Sequence, residues 1–169
     1  YPEFNRLFGG LLPGNIYSII SRPGEGKTTW INDMCAKSAE INGCPALVLD
    51  TEMSTEEIQF RTASAVSGVP LWYIQTGNWR QNPEMIEKVR AAWSEMKGRS
   101  YYHYPVGNMN VDEVCSVIRR WYYSKVGRGN PCIIAYDYIK LTGEKVGDNW
   151  AEYQAIGGKI DKLKKIAEE

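Results

Sequence analysis

Ser21-Arg22-Pro23-Gly24-Glu25-Gly26-Lys27-Thr28 follows directly on the apolar run Ile16-Tyr17-Ser18-Ile19-Ile20 and precedes a helical pattern that begins at Lys27. A strand that feeds a glycine-rich turn into a helix N-terminus leaves a row of backbone N–H groups facing one anion-sized space. The context therefore predicts a phosphate-binding loop, and the ligand it suits is a nucleoside triphosphate. Gly24 and Gly26 free the backbone from the obstruction of a Cβ. Lys27 supplies a point charge for the β- and γ-phosphates, and Thr28 offers a hydroxyl to a magnesium ion, which keeps most of its waters and needs few protein ligands. The pattern G-x-x-x-x-G-K-[ST] is met except at its first position, where Ser21 stands for glycine. Ser21, Arg22, Pro23, Gly24, Glu25, Gly26, Lys27, Thr28 and Thr29 are the expected nucleotide contacts.

Outward from this loop the patterns alternate strand and helix, which argues for an α/β fold with a mainly parallel sheet and helices on both faces. Ile16 to Ile20 reads as the first strand and Lys27 to Ile41 as a helix closing at Asn42-Gly43. Ala46-Leu47-Val48-Leu49-Asp50 is too uniformly apolar for a one-sided sheet, so a strand buried on both faces is expected there. Ser54 and Glu57 have the form of a capping box opening a helix to about Val66. Gly68 to Asn82 mixes aromatics with turn formers and carries no clear period. Helices follow at Pro83 to Lys97, from Asn110 to about Val126, and from Asn149 to the chain end; strands follow at Tyr101 to Tyr104 and Cys132 to Tyr136.

The 169 residues suffice for one domain with a core. Lys plus Arg and Asp plus Glu are balanced at 20 each, so no global field draws the chain to nucleic acid or an anionic membrane. No apolar stretch approaches the roughly 18 to 20 residues that spanning a bilayer requires, and no membrane partner is expected. Cys35, Cys44, Cys115 and Cys132 form no C-x-x-C pair and read as reduced core residues of a cytosolic protein. The lone His103 sits in an aromatic strand and reads as structural. The chain opens on Tyr1 and stops at Glu169 inside a charge-rich helical run, so the expectation is a fragment.

Two acids are candidates beside the loop. Asp137 ends the apolar run Cys132 to Tyr136, at the strand end where open α/β sheets present ligand groups, and there it can hold the water shell of the magnesium that Thr28 ligates. Glu52 lies just past the end of the Ala46 to Asp50 strand, and if that strand neighbours the phosphate-loop strand its carboxylate faces the γ-phosphate and can orient the attacking water. On spacing alone Asp50 and Glu56 compete for that role.

The chain resembles the ATPase domain of the DnaB-type replicative helicases, hexameric motors of bacteria and their phages with a RecA-like P-loop core. The resemblance rests on Gly9-Gly10-Leu11-Leu12-Pro13-Gly14, on Arg22-Pro23 with Gly26-Lys27-Thr28, on Glu52-Met53-Ser54 with Arg61 downstream, on Asp137-Tyr138-Ile139-Lys140-Leu141, and on the tail Asn149 to Glu169. It implies Glu52 as the catalytic carboxylate with Lys27, Asp137 as the metal-side acid with Thr28, and ATP with Mg2+ as ligands. It further implies single-stranded DNA, a homo-hexamer, and a primase or helicase loader as partners, in the cytoplasm of a bacterial or phage-infected cell. Residues 1–169 would be one partial RecA-like domain. The family's glutamine sensor, basic finger and DNA-channel loops would lie past Glu169, and a piece of this length should hydrolyse slowly and unwind nothing. Lys140 and Lys145, in the segment Lys140 to Asp148, are the candidate DNA contacts. Ser21 and Trp150 depart from the family's more usual residues. A RecA-like regulatory or recombinase-accessory ATPase that does not unwind DNA is the alternative, and a small-molecule kinase a third, although no lid arginines are evident.

Overall fold

The computed structural model describes residues 2–140 and 152–169. Its elements in chain order are α1 (Pro2–Phe8), α2 (Lys27–Asn42), β1 (Ala46–Asp50), α3 (Thr55–Ser67), α4 (Leu71–Thr76), a 3-10 turn (Asn78–Gln81), α5 (Pro83–Lys97), β2 (Tyr101–Pro105), α6 (Val111–Trp121) running on as a π-helical stretch (Tyr122–Val126), β3 (Ile133–Asp137) and α7 (Glu152–Glu168).

The three strands form one parallel sheet in the order β2-β1-β3. All five residues of β1 are buried, which follows from its central place and from cover on both faces. Successive side chains alternate between those faces. Ala46 and Val48 join Ile31, Cys35 and Ala39 of α2 in one cluster, whereas Leu47 and Leu49 meet Val114, Val117, Ile118 and Trp121 of α6 in another, with Leu163 and Ile166 of α7 packed against it. Burying each leucine contributes about 1.5 to 3 kcal/mol. A third cluster, Ala63, Val69, Ile74 and Val89, fastens α3, α4 and α5 together beside the sheet. The expected α/β class with a parallel sheet and helices on both faces is therefore observed.

Local chemistry sets the helix boundaries. The Ser54–Glu57 capping box is present in both directions, and Asn110 with Glu113 forms a second one at the start of α6. In α6 the buried Val111, Val114, Cys115, Ile118 and Trp121 recur at three- and four-residue spacing, one face of a helix. Glycines with positive φ close α2 at Gly43 and α3 at Gly68. Gly68 to Asn82, which has no clear period, holds α4 and the 3-10 turn. α7 runs through Gly157 and Gly158; the expected helix start at Asn149 lies outside the described residues.

One expected strand is not formed. Ile16 to Ile20 takes part in no ladder among the described residues, and Ile20 is 92% exposed. Tyr17 is instead tied back to the lead-in, its hydroxyl accepting from Leu12 N–H at 2.9 Å and donating to the Gly10 carbonyl at 3.3 Å. An apolar run signals a tendency to bury, but a strand exists only through pairing, and among the described residues the sheet ends at β3. The four cysteines are free thiols, with Cys35 and Cys115 buried. Among the described residues no helix is long and apolar enough to cross a membrane.

Candidate nucleotide site

Parallel strands put all their C-terminal ends on one side, and the N-terminus of α2 arrives at that same side. The in-register pair Asp50↔Asp137 ends β1 and β3 together. Facing it, Lys27 and Thr28 open α2. The Asp137 carboxylate, only 4% exposed, takes both: Thr28 Oγ1 donates to its Oδ2 at 2.5 Å, and Lys27 Nζ lies 2.9 Å from its Oδ1. The Lys27 contact is an ion pair without hydrogen-bond geometry, so the buried Oδ1 retains accepting capacity.

The loop before α2 is open. Residues 21–26 are exposed, and both Gly24 and Gly26 have φ of +82°, a region that L side chains enter only at a cost. No atom lies within 4 Å of where a Cβ would stand at either. Gly26 caps α2 without any side-chain hydrogen bond, and the first helical bond runs from Trp30 N–H to the Gly26 carbonyl at 2.9 Å. The amides of Lys27, Thr28 and Thr29 are thus the helix's open N-terminal donors, with no partner among the described residues. Beneath them, Asn32 Nδ2 donates to the Thr28 carbonyl at 2.9 Å, and the Tyr101 hydroxyl of β2 donates to Asn32 Oδ1.

Glu52 is at the same end of the sheet, two residues past Asp50. Its carboxylate is exposed and makes no hydrogen bond or ion pair among the described residues; its backbone is held. Thr51 N–H donates to the Asp137 carbonyl at 2.8 Å, so the residue before Glu52 continues the ladder to β3. The condition attached to Glu52 is not met, because β1 neighbours β3 and β2 while Ile16 to Ile20 pairs with no strand among the described residues; Glu52 instead reaches the loop's side of the sheet through the shared C-terminal end of β1 and β3. Of the two competitors, Asp50 is buried and turned onto the backbone of Glu52 and Met53, while Glu56 is exposed in the first turn of α3.

The candidate DNA contacts fare differently. Lys140 does not stand out into solvent: its Nζ donates to the Thr51 carbonyl at 3.2 Å and lies 5.7 Å from the Tyr138 ring centre. A strand-end carbonyl at hydrogen-bond range draws the ammonium inward. Lys145 lies outside the described residues. The run Arg119-Arg120-Trp121-Tyr122-Tyr123 has the residue types of a base-stacking patch, yet Arg119 makes a bidentate pair with Glu169 at 2.9 and 2.6 Å and Trp121 is core, so the run divides between core and surface.

The contacts of three further residues are not announced by any spacing along the chain. Tyr138 presents its ring to Lys27 Nζ at 5.0 Å as well as to Lys140, a cation–π arrangement. Lys159 of α7 is 1% exposed, its Nζ donating to the Lys140 carbonyl at 2.7 Å and standing 5.4 Å from the Tyr136 ring. The His103 side chain is buried, with Nε2 3.7 Å from Asp50 Oδ2, too long for a hydrogen bond, and Nδ1 3.1 Å from Thr55 Oγ1.

Comparison with known proteins accords with this arrangement. Residues 1–169 match the DnaB-like helicase C terminal domain family. The replicative DNA helicase DnaB of Buchnera aphidicola subsp. Schizaphis graminum is 29% identical over 149 residues, covering 83% of this chain and 30% of that protein. The DnaB of Buchnera aphidicola subsp. Baizongia pistaciae is 27% identical over 168 residues, 98% of this chain and 35% of its own length. Among solved structures, a DnaB-like replicative helicase described with its interactions with primase matches with a TM-score of 0.84 at 21% identity, over 99% of this chain and 40% of that one. The structural likeness establishes the fold. The chain spans about a third of the length of the curated relatives it matches.

Proposed function

The chain belongs to the DnaB-like helicase C-terminal domain family, and from that premise we propose that it is the ATP-hydrolysing motor of a replicative DNA helicase that works on single-stranded DNA as a homo-hexamer. The observation that carries this reading is the meeting of Lys27 and Thr28 with Asp137, which follows Thr28 by 109 positions, at one strand end beside three helix amides without a partner among the described residues.

In this reading the triphosphate lies along Ser21 to Thr29, its oxygens taken by the α2 amides and by Lys27. The donor set suits a magnesium ion. A hydroxyl and a carboxylate with an unspent buried oxygen stand together, and Mg2+ needs only one or two protein ligands besides phosphate. Thr28 and Asp137 would hold it, Asp137 through the water shell. When bound, the ion supplies neutralisation of charge on the phosphate oxygens. Lys27 would then exchange Asp137 for phosphate, a swap between two anionic partners that leaves the ammonium compensated throughout. Glu52, exposed and unpaired among the described residues, would orient the attacking water and accept its proton. Phosphoryl transfer depends on positioning and electrostatic stabilisation, and a basic group from a neighbouring subunit raises such rates by about 10³ to 10⁵, so turnover would depend on assembly.

The solved relative described with primase makes a primase a candidate partner of the whole protein, and a helicase loader is another. Channel contacts to DNA fall outside what Lys140 supports, since its ammonium is engaged at Thr51; Lys145 stays a candidate.

The test is the ATPase rate of the intact protein with and without single-stranded DNA, beside Lys27→Ala. The expected result is DNA-stimulated hydrolysis in the parent and loss of turnover in the variant. Hydrolysis by an assembled oligomer that ignores DNA would instead favour a regulatory RecA-like ATPase, and undiminished turnover in Lys27→Ala would remove the site assignment.

A further inference from the structure

Asp50 is a charged residue at a place where charge is costly. It is 2% exposed, in the central strand, and an ionised carboxylate so buried needs compensation by donors or counter-charge. The compensation comes from the loop that carries Glu52. Asp50 Oδ1 accepts from the N–H groups of Glu52 and Met53, both at 2.7 Å. This turn, built on an aspartate side chain, fixes the backbone of the short link between β1 and α3, and so fixes the direction in which the Glu52 side chain leaves it.

The other carboxylate oxygen faces inward, toward His103. That imidazole has one nitrogen 3.7 Å from Asp50 Oδ2 and the other 3.1 Å from the hydroxyl of Thr55, the first residue of α3. One ring therefore bridges the strand that precedes Glu52 and the helix that follows it. The remaining backbone is held from other sides. Asp50 carbonyl accepts from Val106 N–H at 2.7 Å, Thr51 carbonyl accepts from Lys140, and Thr51 Oγ1 accepts from Tyr138 N–H at 3.3 Å. A Cβ on Gly107 would come within 2.8 Å of the Thr51 carbonyl oxygen, so glycine there permits the β2 end to close on the same link. The result is a rigid backbone carrying one exposed carboxylate that no other described residue engages.

We propose that Asp50, backed by His103, is the positioning residue that sets the working orientation of Glu52; this rests on the reading of Glu52 as the water-orienting carboxylate. Asp50 touches no reacting atom. It acts through the amides of Glu52 and Met53, and its removal should change turnover far more than nucleotide affinity, because Lys27, Thr28 and the α2 amides are anchored elsewhere.

The experiment compares Glu52→Gln, Asp50→Ala and Asp50→Asn in the intact protein. Affinity for a fluorescent ATP analogue with Mg2+ is measured first, and turnover is then expressed per nucleotide-binding site, so that unfolded molecules drop out of the comparison. Asp50→Ala is expected to turn over about 10- to 100-fold more slowly at an affinity within about twofold of the parent, the scale of a small misplacement of a catalytic group. Asp50→Asn keeps an oxygen that accepts both N–H bonds and should recover most of that loss. Asp50→Ala at the parental rate, or Asp50→Asn falling as far as Asp50→Ala, overturns the proposal. Should Asp50→Ala give no nucleotide-binding protein, His103→Gln and Thr55→Val remove the outer bridge with Asp50 in place. Each is then expected to lower turnover per site by about threefold or more, and parental rates in both overturn the proposal. Glu52→Gln is expected to abolish turnover with binding intact. If it does not, the role given to Glu52 fails and the proposal with it, whereas a dead Glu52→Gln beside a fully active Asp50→Ala refutes the positioning role alone.

Discussion

Gly26→Ala and Gly43→Ala make a matched pair that tests the phosphate loop without confusing binding with stability. The two glycines cap opposite ends of α2, both in the left-handed region at φ +82° and +61°, and neither has an atom within 4 Å of where a Cβ would stand. An alanine at either position meets no clash and suffers only backbone strain, about 1 to 2 kcal/mol. A stiffer unfolded chain returns about 0.4 to 1 kcal/mol. The net cost is about 1 kcal/mol, or about 2 to 4 °C in Tm for a domain of this size. Thermal melts should therefore show two similar, modest losses. Nucleotide binding should separate them, since only Gly26 adjoins the amides of Lys27, Thr28 and Thr29. Loss of even one charge-assisted N–H bond there costs about 1.5 to 3 kcal/mol, a fall of about 10- to 100-fold in affinity for MgATP. Titration with a fluorescent ATP analogue at a temperature well below both melts reads this directly. Equal affinity losses in the two variants, or parental affinity in Gly26→Ala, would refute the reasoning.

Three further outcomes are expected. Burial pushes the Asp50 carboxyl up, but the His103 contact and the N–H groups of Met53 and Glu52 outweigh it and hold the group below its ordinary value. That stabilisation is complete above the unfolded value of about 3.9 and is lost as pH falls through the folded one, so below about pH 4 the parent should lose stability more steeply than Asp50→Asn in denaturant titrations. Burial raises the Cys35 thiol to about 12, so iodoacetamide at pH 8 should leave Cys35 unmodified in the native chain and label it on unfolding, as peptide mapping will show. Gly157 and Gly158 lie within α7 with no atom within 4 Å of an added Cβ; Gly158→Ala should stabilise by about 0.5 to 1 kcal/mol, raising Tm by about 1 to 4 °C.

What the sequence made legible and what it withheld differ in kind. α2, α3, α5 and β1 were readable because their determinants are local: the Ser54–Glu57 capping box, Pro83 at a helix start, the glycine after Asn42, and an apolar run long enough to be covered twice. The place of Asp137 at a strand end was readable because an apolar run that closes on an acid is a local pattern. Ile16 to Ile20 misled for the complementary reason, since its composition matches a strand while the ladder depends on a neighbour that composition does not specify. Gly68 to Asn82 has two short helical turns held by the Ala63, Val69, Ile74 and Val89 cluster, too brief to express a period. The direction of Lys140, the burial of Lys159 and the meeting of His103 with Asp50 depend on register between distant segments. His103 lies opposite Val48 in the ladder, which brings it beside Asp50, and no spacing along the chain announces that.

The central position of β1 bears on how this chain reaches its native state. Ala46 pairs with Tyr101 on one side and Ile133 on the other, and both ladders are parallel, so no hairpin is available to start the sheet. Each ladder must close a long loop before its first bond forms, and the associated entropy is lost ahead of any return. Helices such as α5 and α6 can form early from their own caps, while β1, the strand buried at every position in the native fold, waits uncovered for two remote partners. Slow, aggregation-sensitive refolding, eased by low concentration, is the kinetic signature this topology carries.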